Sequence, residues 1–448
     1  MTAAIRLAAS NGASRPSASK KAPSEKLSPE LVYRRHIGQC PDIATDGVAM
    51  LYRWDGCAWR ALSHDECLTG AHAWLDTHFP EKASPRLAES CVKAAIFSDL
   101  TQRLPAAAKD TIPLENGYLK IDASGQTIAI MPPDKSAGLT YRLSCRYDLD
   151  ARAPTFEKFL REILPDPAVR EWLQCFVGYT LISDCRYQVA ALFLGSGANG
   201  KSTLCEIVEA LHHKTATMAL DSLRGFSLSQ IIGASLVIVE EVPRRIDEQQ
   251  LKILISGGLI SIDRKYRDPI SVRPTAKWII CANELPALTD HSHGLWRRLA
   301  VVPFEQKIPK KHQDPELAKR IIKTELSGVF SWALGGLIKT LRDGGLPPIP
   351  EKMAAAIEQG RRQTDSVSSW VADDQIEYAE SAWVDRAHVY AAYATWAKSM
   401  GNVPVNHEKF WVRMHDIDPR IAEPVAKKIA GQKRRGARCV LKGPAQAE

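Results

Sequence analysis

The sequence predicts an α/β fold organised around a parallel sheet, with a smaller domain at each end of the chain. The apolar run Val189 to Leu194 is followed by the glycine-rich stretch 195–203, GSGANGKST, and then by a helical pattern, Leu204 to His212. Two further apolar runs, Ser235 to Val239 and Lys277 to Ala282, have the length of buried parallel strands. Because helical stretches separate these runs, we expect strands and helices to alternate.

The length and composition of the chain set broad limits. Its 448 residues are enough for two or three domains with separate cores. No window holds 18 uninterrupted apolar residues, and residues 1–30 lack the apolar stretch of a signal peptide. The ten cysteines form no CxxC pair, so we expect neither a zinc ribbon nor disulfides. These observations predict a cytoplasmic protein with reduced thiols and no membrane association.

The net charge of +8 is concentrated at the two ends of the chain. Residues 1–30 carry five Lys or Arg against two Glu, and residues 420–448 carry eight against two acids. We interpret residues 1–30 as a disordered basic tail. Basic ends on a nearly neutral body favour a polyanionic partner such as nucleic acid, although they are also common as solubilising tails.

Residues 31–150 predict an independent α+β domain without a recognisable catalytic constellation. Its tryptophans are most simply core residues, and base stacking on exposed aromatic rings is the alternative. The predicted elements are a β-hairpin over Ala49 to Leu62, helices over Cys67 to Phe79 and Arg86 to Leu104, and a β-like segment over Ile112 to Met131. Two amphipathic helices, Phe156 to Leu164 and Ala168 to Ile182, then lead to the first strand of the sheet.

The stretch after that first strand matches the phosphate-binding pattern GxxxxGK[ST]. Glycines let the backbone approach a polyphosphate, so that amide N–H groups and a helix N-terminus face its oxygens. Lys201 would reach the β and γ phosphates of ATP, and the Ser202 hydroxyl would bind Mg²⁺. The alternative is a glycine-rich turn with an incidental lysine. The candidate nucleotide-binding residues are Gly195, Gly197, Asn199, Gly200, Lys201, Ser202 and Thr203.

Each of the other two sheet strands ends at residues suited to phosphate chemistry. Glu240 and Glu241 come directly after Val239, at the strand edge where ligands of open α/β sheets bind. From their order we assign Glu240 to Mg²⁺ and Glu241 to orienting the attacking water. Asn283, after the third strand, can donate to the γ phosphate or to that water without adding charge. Adjacent carboxylates alone would more often mark a solvated strand edge.

A β-hairpin is predicted between the second and third strands, over Gly257 to Pro274. Arg264, Lys265 and Arg267 fall at its tip. Exposed basic residues are common on any surface, but a hairpin that projects from an ATPase is suited to gripping DNA.

Two adjacent arginines, Arg297 and Arg298, precede another apolar strand in the segment 294–304, GLWRRLAVVPF. Nothing nearby in the sequence requires two guanidinium groups. One of them could reach the γ phosphate held by a neighbouring subunit and stabilise charge in the transition state, as an arginine finger. The alternative is a surface or inter-domain ion pair.

The C-terminal part of the chain predicts helices followed by a basic hairpin. A helix over Leu326 to Arg342 and a proline-rich linker, Leu346 to Glu351, come before it. The predicted elements are helices over Ser366 to Ala379, Val384 to Met400 and His407 to Met414, and two strands within Val425 to Leu441 about a Gly431 to Gly436 turn that carries Lys433, Arg434 and Arg435. This is the layout of a winged helix, whose wing would lie on phosphates; a helical lid with a charged tail is the alternative.

The chain resembles the superfamily 3 helicases, specifically the phage/plasmid primase-helicase family, in four segments taken in order: GSGANGKST, SLVIVEE, ISGGLISIDRKYRDPISVRPTAKWIICANELP and GLWRRLAVVPF. The ANGKST form of the loop and the VRPTAK before the third strand are fairly specific. Upstream, the chain is similar to the family's N-terminal helicase-associated domain in NGYLKI, YDLDARAPTFEKFL and GYTL. The resemblance covers about residues 45–310.

The resemblance implies a ring, usually a hexamer, of AAA+-like modules that hydrolyse ATP between subunits and move along single-stranded DNA by central hairpins. It assigns Gly200, Lys201 and Ser202 to phosphate and Mg²⁺, Glu240 and Glu241 to the Walker B pair, Asn283 to the sensor position, Lys265 and its neighbours to the hairpin, and Arg297 or Arg298 to the finger. Many family members carry a primase domain ahead of the helicase. The residues ahead of the matched region hold no carboxylate cluster, so we do not expect primase activity here, and a separate primase could act as a partner.

We therefore expect a P-loop, AAA+-like superfamily 3 helicase core at residues 151–345, between an N-terminal α+β domain and a winged-helix-like region at residues 346–448. The expected function is ATP-dependent unwinding of replication-fork DNA for a phage, plasmid or other mobile element. A rival interpretation is a DNA-binding initiator or regulator in which nucleotide only locks an oligomer, although Glu241 argues against a mere switch. A P-loop kinase fits less well, because the sequence shows no acceptor-substrate lid.

Overall fold

The computed structural model of the chain describes residues 27–109, 111–122, 127–221, 223–243, 246–264, 267–285, 293–364, 366–400, 404–429 and 431–442. Most of the basic tail predicted over residues 1–30 lies outside the described residues, and so does Lys265 at the tip of the predicted hairpin.

The described residues form helices and strands throughout. The helices are α1 (Pro29–Gly38), α2 (His64–His78), α3 (Pro85–Ile96), α4 (Pro154–Ile163), α5 (Pro167–Thr180), α6 (Lys201–Ala210), α7 (Glu248–Ile255), α8 (His293–Trp296), α9 (Leu317–Arg342), α10 (Glu351–Thr364), α11 (Ser366–Ala372), α12 (Arg386–Ser399), α13 (His407–Ile417) and α14 (Pro419–Ala422). The strands are β1 (Ile43–Thr45), β2 (Leu51–Trp54), β3 (Trp59–Ala61), β4 (Thr111–Leu114), β5 (Gly117–Ile121), β6 (Thr127–Met131), β7 (Ala190–Leu194), β8 (Thr215–Thr217), β9 (Leu236–Val239), β10 (Ile260–Arg264), β11 (Arg267–Val272), β12 (Lys277–Ala282), β13 (Leu299–Pro303), β14 (Ile376–Tyr378), β15 (Val384–Asp385), β16 (Val425–Ile429), β17 (Gln432–Ala437) and β18 (Cys439–Leu441).

Five strands form an all-parallel sheet in the order β13-β7-β12-β9-β8. The strands β7, β9 and β12 are almost wholly buried, as their continuous apolar runs predict. Strand β12 is inserted between two strands that precede it in the chain. Leu194 of β7 lies opposite Ala282 of β12, and Val239 of β9 lies opposite Ile280 of β12. The predicted α/β architecture with a parallel sheet is confirmed, and the carboxyl ends of these three strands meet at one edge.

The sheet separates two hydrophobic cores, because successive residues of a strand point to opposite faces. On β7, Ala191 and Phe193 pack with helices α4, α5, α6 and α9. Ala190 and Leu192 pack on the other side with α7, α8 and the hairpin β10–β11. The sheet is therefore covered on both faces, as a parallel sheet requires.

Helix α9 is apolar because it packs against other helices. Within the described part of the chain it is the one helix long and apolar enough to cross a membrane by length and composition alone. It lies against α5 so closely that a Cβ at Gly178 would come within 2.3 Å of the Leu337 amide nitrogen. In its most apolar window, 44% of the residues are buried inside the protein. Core helices of soluble proteins have the same composition, so this helix is weak evidence for a membrane.

The N-terminal region contains the predicted hairpin, with Trp54 of β2 opposite Trp59 of β3. The core position expected for its tryptophans is confirmed for Trp59, which is 1% exposed. The helix predicted over residues 86–104 was too long, since α3 ends at Ile96. There the Thr101 hydroxyl donates to the Ala95 carbonyl at 2.8 Å, so a side chain replaces the next helical hydrogen bond.

The three-stranded sheet β4-β5-β6 shares a core with the helices that follow it. Its buried side chains, among them Ile112 and Leu119, pack with α4 and α5. The Tyr141 hydroxyl donates to the Leu181 carbonyl at 2.9 Å, which ties the segment after β6 to the end of α5. The domain boundary expected at residue 150 falls within this shared core, and where the folding units divide stays a prediction.

The C-terminal region consists of α11–α14 packed against two small sheets, β14-β18 and β15-β17-β16. The helix predicted over residues 366–379 ends at Ala372, because the chain reverses at Asp374 (φ 56°) and enters β14. The predicted turn over residues 431–436 was too long. Lys433, Arg434 and Arg435 lie in strand β17, paired with β16, so the turn is shorter than the sequence suggested.

Candidate functional site

The residues predicted to bind nucleotide and metal and to orient water converge at the carboxyl edge of the parallel sheet. Gly195 follows β7, and its amide donates to the Ala282 carbonyl at 3.1 Å, so it lies beside Asn283 at the end of β12. Glu240 and Glu241 follow β9, on the other side of β12. Because adjacent strands are ~4.8 Å apart, the glycine loop and the acids are separated by about 10 Å across the sheet, which leaves room for a phosphate group and a metal ion.

The loop between β7 and α6 has a backbone that favours glycine. Gly197 and Gly200 have φ angles of 81° and 83°, in the left-handed region that glycine adopts without strain. A Cβ at Gly200 would also lie 2.7 Å from Cγ2 of Ile163 on α4, which is too close. A Cβ at Gly197 would meet nothing within 4 Å. The loop is thus packed on one side at Gly200 and open on the other at Gly197.

The first turn of α6 presents amide groups without a side-chain cap. Gly200 occupies the N-cap position and has no side chain that could accept from them. Uncapped N–H groups and the positive end of the helix dipole attract anions. A polyphosphate therefore fits this end of α6.

Lys201 is a nearly buried cation at this helix start, with 7% of its surface exposed. Its ammonium group donates to the Gly195 carbonyl and, at 3.2 Å, to Oδ1 of Asn199. Burial lowers the pKa of Lys201 below its ordinary value. Within the described residues no carboxylate forms an ion pair with it. A buried ammonium that has only neutral partners suits an anionic ligand.

Asn199 differs from what the sequence suggested, since its side chain is turned inward. It is 3% exposed, and Nδ2 donates to the Phe304 carbonyl at 3.0 Å. With Oδ1 accepting from Lys201, both ends of the amide are engaged by the protein. The Asn199 side chain therefore holds the loop, and only its backbone remains to face a ligand.

The acidic residues and the hydroxyl expected to bind a metal are open to solvent. Glu240, Glu241 and Ser202 are all exposed, as are Asn283 and the mouth of the loop. No group of three His, Cys, Asp or Glu side chains suited to a metal occurs among the described residues. Carboxylate and hydroxyl oxygens are ligands that Mg²⁺ accepts, usually together with phosphate oxygens and water. The residues present fit a metal ion that arrives with a phosphate ligand.

Two cysteines lie beneath the loop, and no sequence pattern pointed to them. The sulfur atoms of Cys205 on α6 and Cys281 on β12 are 3.3 Å apart. The hydrogen bond between the thiols raises the pKa of Cys205 and lowers that of Cys281. Because 76 residues separate them, no spacing motif could have revealed the pair.

The two arginines lie near the amino-terminal ends of β7 and β13, whereas the glycine loop follows the carboxyl end of β7. Arg298 precedes β13, and its carbonyl accepts from the amide of Ala190 at the start of β7. The five residues of β7 span about 16 Å, so neither arginine is beside its own chain's loop. Arg298 donates to the Gly294 carbonyl at 2.6 Å and to Oε1 of Gln188 at 3.1 Å. Arg297 is exposed.

Among the described residues, the basic residues expected to contact DNA lie on two hairpins. Arg264 ends β10 and Arg267 begins β11, and the two positions are paired across the hairpin. In the C-terminal hairpin, Lys428 of β16 lies opposite Lys433 of β17, and Lys427 lies opposite Arg434. These four side chains are exposed. Arg434 is paired with Asp385 at 3.4 Å, whereas the like charges of Lys428 and Lys433 destabilise the hairpin and suit a polyanionic partner.

The chain is similar to a family of unknown function and to viral proteins that are named as helicases or as a primase. A family of unknown function, DUF5906, matches residues 193–298, which include the loop, both acids and the arginines. A protein named "Putative helicase" from Acanthamoeba polyphaga mimivirus is 30% identical over 212 residues, which cover 44% of this chain and 22% of that protein. Another of the same name, from Invertebrate iridescent virus 3, is 25% identical over 49% of this chain and 25% of its own length.

A third relative is named "Putative primase" and comes from African swine fever virus; it is 20% identical over 54% of this chain and 28% of its own length. The chain thus spans about a quarter of the length of these curated relatives. Among solved structures, the apo C-terminal region of NrS-1 matches with a TM-score of 0.49 and 12% identity, covering 93% of this chain and all of that one. The chain is a distant relative of helicase- and primase-named proteins of large DNA viruses.

Proposed function

We propose that this protein is an ATP-dependent DNA helicase of the superfamily 3 kind, which works as a ring of identical subunits in the replication of a phage, plasmid or other mobile element. One observation carries the proposal. A buried ammonium with only neutral partners, Lys201, lies in a glycine loop at the same sheet edge as the acids after β9 and the amide after β12. The names of the distant viral relatives support the same class of enzyme.

The loop and the start of α6 would hold the triphosphate of ATP. The amides at the start of α6 and the ammonium of Lys201 would bind its phosphate oxygens, while Ser202 and Glu240 would hold Mg²⁺. When bound, the metal would neutralise charge on the phosphates. Glu241 would orient and polarise the attacking water, and Asn283 would donate to the phosphate or the water without adding charge.

An arginine from a neighbouring subunit would complete the site. Since Arg297 and Arg298 lie about 16 Å from their own loop, they could serve only the loop of another copy. Arg298 is engaged by Gln188 and Gly294, whereas Arg297 is exposed. We therefore favour Arg297 as the residue that stabilises transition-state charge across the interface.

The hairpins would supply the contacts to DNA. The tip residues Arg264, Lys265 and Arg267 would grip single-stranded DNA, and the C-terminal hairpin would lie on the phosphates of fork DNA. The arrangement α11, β15, α12, α13, β16 and β17, with β17 paired to both other strands, supports a winged helix for this region. We retain residues 151–345 as the helicase core and residues 346–448 as the linker and DNA-binding region.

The proposal is tested by exchanging the central lysine. Lys201→Ala should lower ATP hydrolysis by about 100-fold or more, because it removes a preorganised cation from the phosphate site. A matched control is Lys158→Ala on α4, whose side chain is 75% exposed. Thermal unfolding of both variants checks the fold. Near-normal turnover in a folded Lys201→Ala variant would count against the assignment.

Unwinding is tested separately from hydrolysis. The full chain should displace a strand from a forked DNA duplex with ATP and Mg²⁺, and should not do so with a non-hydrolysable analogue. Nucleotide-dependent DNA binding without strand displacement would instead favour an initiator or regulator that uses the nucleotide as a switch.

A further inference from the structure

The thiol pair beneath the phosphate loop joins two elements of the proposed site. Cys205 lies one helical turn after Lys201 on α6, and Cys281 lies two residues before Asn283 on β12. Their sulfur atoms are 3.3 Å apart, and the residues are 6% and 8% exposed. Any change in this contact therefore acts on the helix that carries the lysine and on the strand that ends directly before the asparagine.

We propose that Cys205 and Cys281 form a reversible oxidation site that closes to an intramolecular disulfide when a peroxide oxidises it. In the first step the sulfur of one cysteine attacks a peroxide oxygen, which gives a sulfenic acid and releases one water from hydrogen peroxide. The second thiol then attacks that sulfur, forms the S–S bond and releases the second water. Two thiols and one peroxide thus become one disulfide and two waters, and an external dithiol reverses the reaction.

The geometry requires only a small movement. A disulfide has an S–S distance of about 2.05 Å, so the two sulfurs must approach by about 1.3 Å from their present separation. Both thiols are buried on regular elements, where close packing restricts side-chain rotation, so the bond closes by a shift of α6 and β12 towards each other. The shift would move the first turn of α6 relative to the end of β12. If, as proposed above, this edge binds ATP, oxidation displaces Lys201 from its binding position and weakens nucleotide binding.

The first experiment detects the bond itself and does not depend on nucleotide. The protein is treated with hydrogen peroxide, digested without reduction and analysed by mass spectrometry. We expect one cross-linked peptide pair containing Cys205 and Cys281, which dithiothreitol removes. Cys205→Ser and Cys281→Ser should each abolish it, whereas Cys175→Ser, a change at another buried cysteine, should leave it intact. Unlinked or further oxidised thiols in a folded wild-type protein would overturn the proposal.

The second experiment measures the consequence. A fluorescent ATP analogue should bind the oxidised wild-type protein at least tenfold more weakly than the reduced protein, with recovery after dithiothreitol. Binding by Cys205→Ser should not respond to peroxide. Equal affinities of the reduced and the cross-linked protein would overturn the effect on the nucleotide site. If the reduced protein does not bind the analogue at all, the proposed ATPase function fails, while peptide mapping still decides whether the disulfide forms.

Discussion

The side-chain amide of Asn199 donates to the backbone carbonyl of Phe304 at 3.0 Å. This contact ties the loop after β7 to the residue that follows β13, the neighbouring strand at the edge of the sheet. The same amide accepts from Lys201 at 3.2 Å, so one side chain fixes both the loop and the cation within it. The loop is therefore held in shape by the protein before any ligand arrives, which lowers the entropy cost of binding.

Replacing Asn199 tests this coupling. Asn199→Ala leaves the Phe304 carbonyl without its buried donor, and we expect a loss of about 1–3 kcal/mol in the free energy of unfolding, measured with urea. Affinity for a fluorescent ATP analogue should fall as well. Asn199→Asp keeps an oxygen for Lys201 but loses the donor to Phe304. If both variants bind the analogue as tightly as wild type, the side chain does not shape the loop.

The two glycines of the loop provide a matched pair. Gly200→Ala and Gly197→Ala both place a Cβ at a positive φ, which costs about 1 kcal/mol for either substitution. Only the Cβ at Gly200 would also collide with Ile163, at 2.7 Å. We expect Gly200→Ala to lower the melting temperature more than Gly197→Ala does, as measured by calorimetry. Equal effects would mean that α4 does not pack on the loop as described.

The two arginines are expected to behave differently. Arg297→Ala should abolish ATP hydrolysis but change the free energy of unfolding by less than about 0.5 kcal/mol, because Arg297 is exposed. Arg298→Ala removes hydrogen bonds to Gln188 and Gly294, and we expect it to destabilise the fold by about 1–3 kcal/mol.

Mixing inactive subunits tests whether Arg297 acts across an interface. Subunits with Arg297→Ala and subunits with Glu241→Gln should each be inactive alone. Hydrolysis should reappear in the mixture, because some interfaces then combine an intact arginine with an intact acid. A mixture that stays inactive, although the subunits exchange, would exclude a shared site.

The C-terminal hairpin should contribute to DNA affinity through charge. Lys433→Ala combined with Arg435→Ala should weaken binding to duplex DNA and reduce the slope of log K against log salt by about 0.9 for each phosphate that the hairpin no longer neutralises. Stability should not fall, because the change removes repulsion between Lys428 and Lys433. Lys442→Ala is the control, since Lys442 pairs with Asp374 at 2.8 Å. An unchanged salt slope in the double variant would rule out phosphate binding by this strand.

Because His212 is buried, we expect the folded protein to lose stability as the pH falls. Burial lowers the pKa of His212 from 6.5 to about 3, and the charge of Lys277 acts in the same direction. Its ring contacts the hydroxyl groups of Ser235 at 2.9 Å and Thr180 at 3.2 Å. Between about pH 6.5 and pH 3 the unfolded chain therefore binds a proton that the folded chain does not, and stability falls as the pH falls.

The size of this effect follows from linkage. We expect His212 to contribute up to about 1.4 kcal/mol per pH unit to the slope of the unfolding free energy in that range. Urea unfolding at pH 7, 6 and 5 measures the slope. His212→Gln, which keeps a polar side chain but cannot titrate, should flatten it. The same slope in this variant would show that other groups cause the acid sensitivity.

Structural features that depend only on residues adjacent in the chain, such as strands and turns, could be predicted from the sequence. The apolar run Lys277–Ala282 is a strand with the expected bounds, and the glycine-rich stretch connects a strand to a helix as predicted. Such features are readable because periodicity, glycine and the order of residues act within a few positions of the chain. The helix ends were less accurate. At Thr101 and Asp374, side-chain hydrogen bonding and a backbone reversal ended helices that the pattern alone extended.

By itself, the sequence determined the strand, glycine loop and helix, the two acids after one apolar run and the amide after another. Only the tertiary structure decided that these segments meet at one sheet edge, that Asn199 is bound to Phe304, and that Cys205 touches Cys281. It also distinguished the engaged Arg298 from the exposed Arg297. The physical reason is range: local patterns are set by bonded neighbours, whereas strand order and side-chain partners depend on how the two cores pack against the sheet.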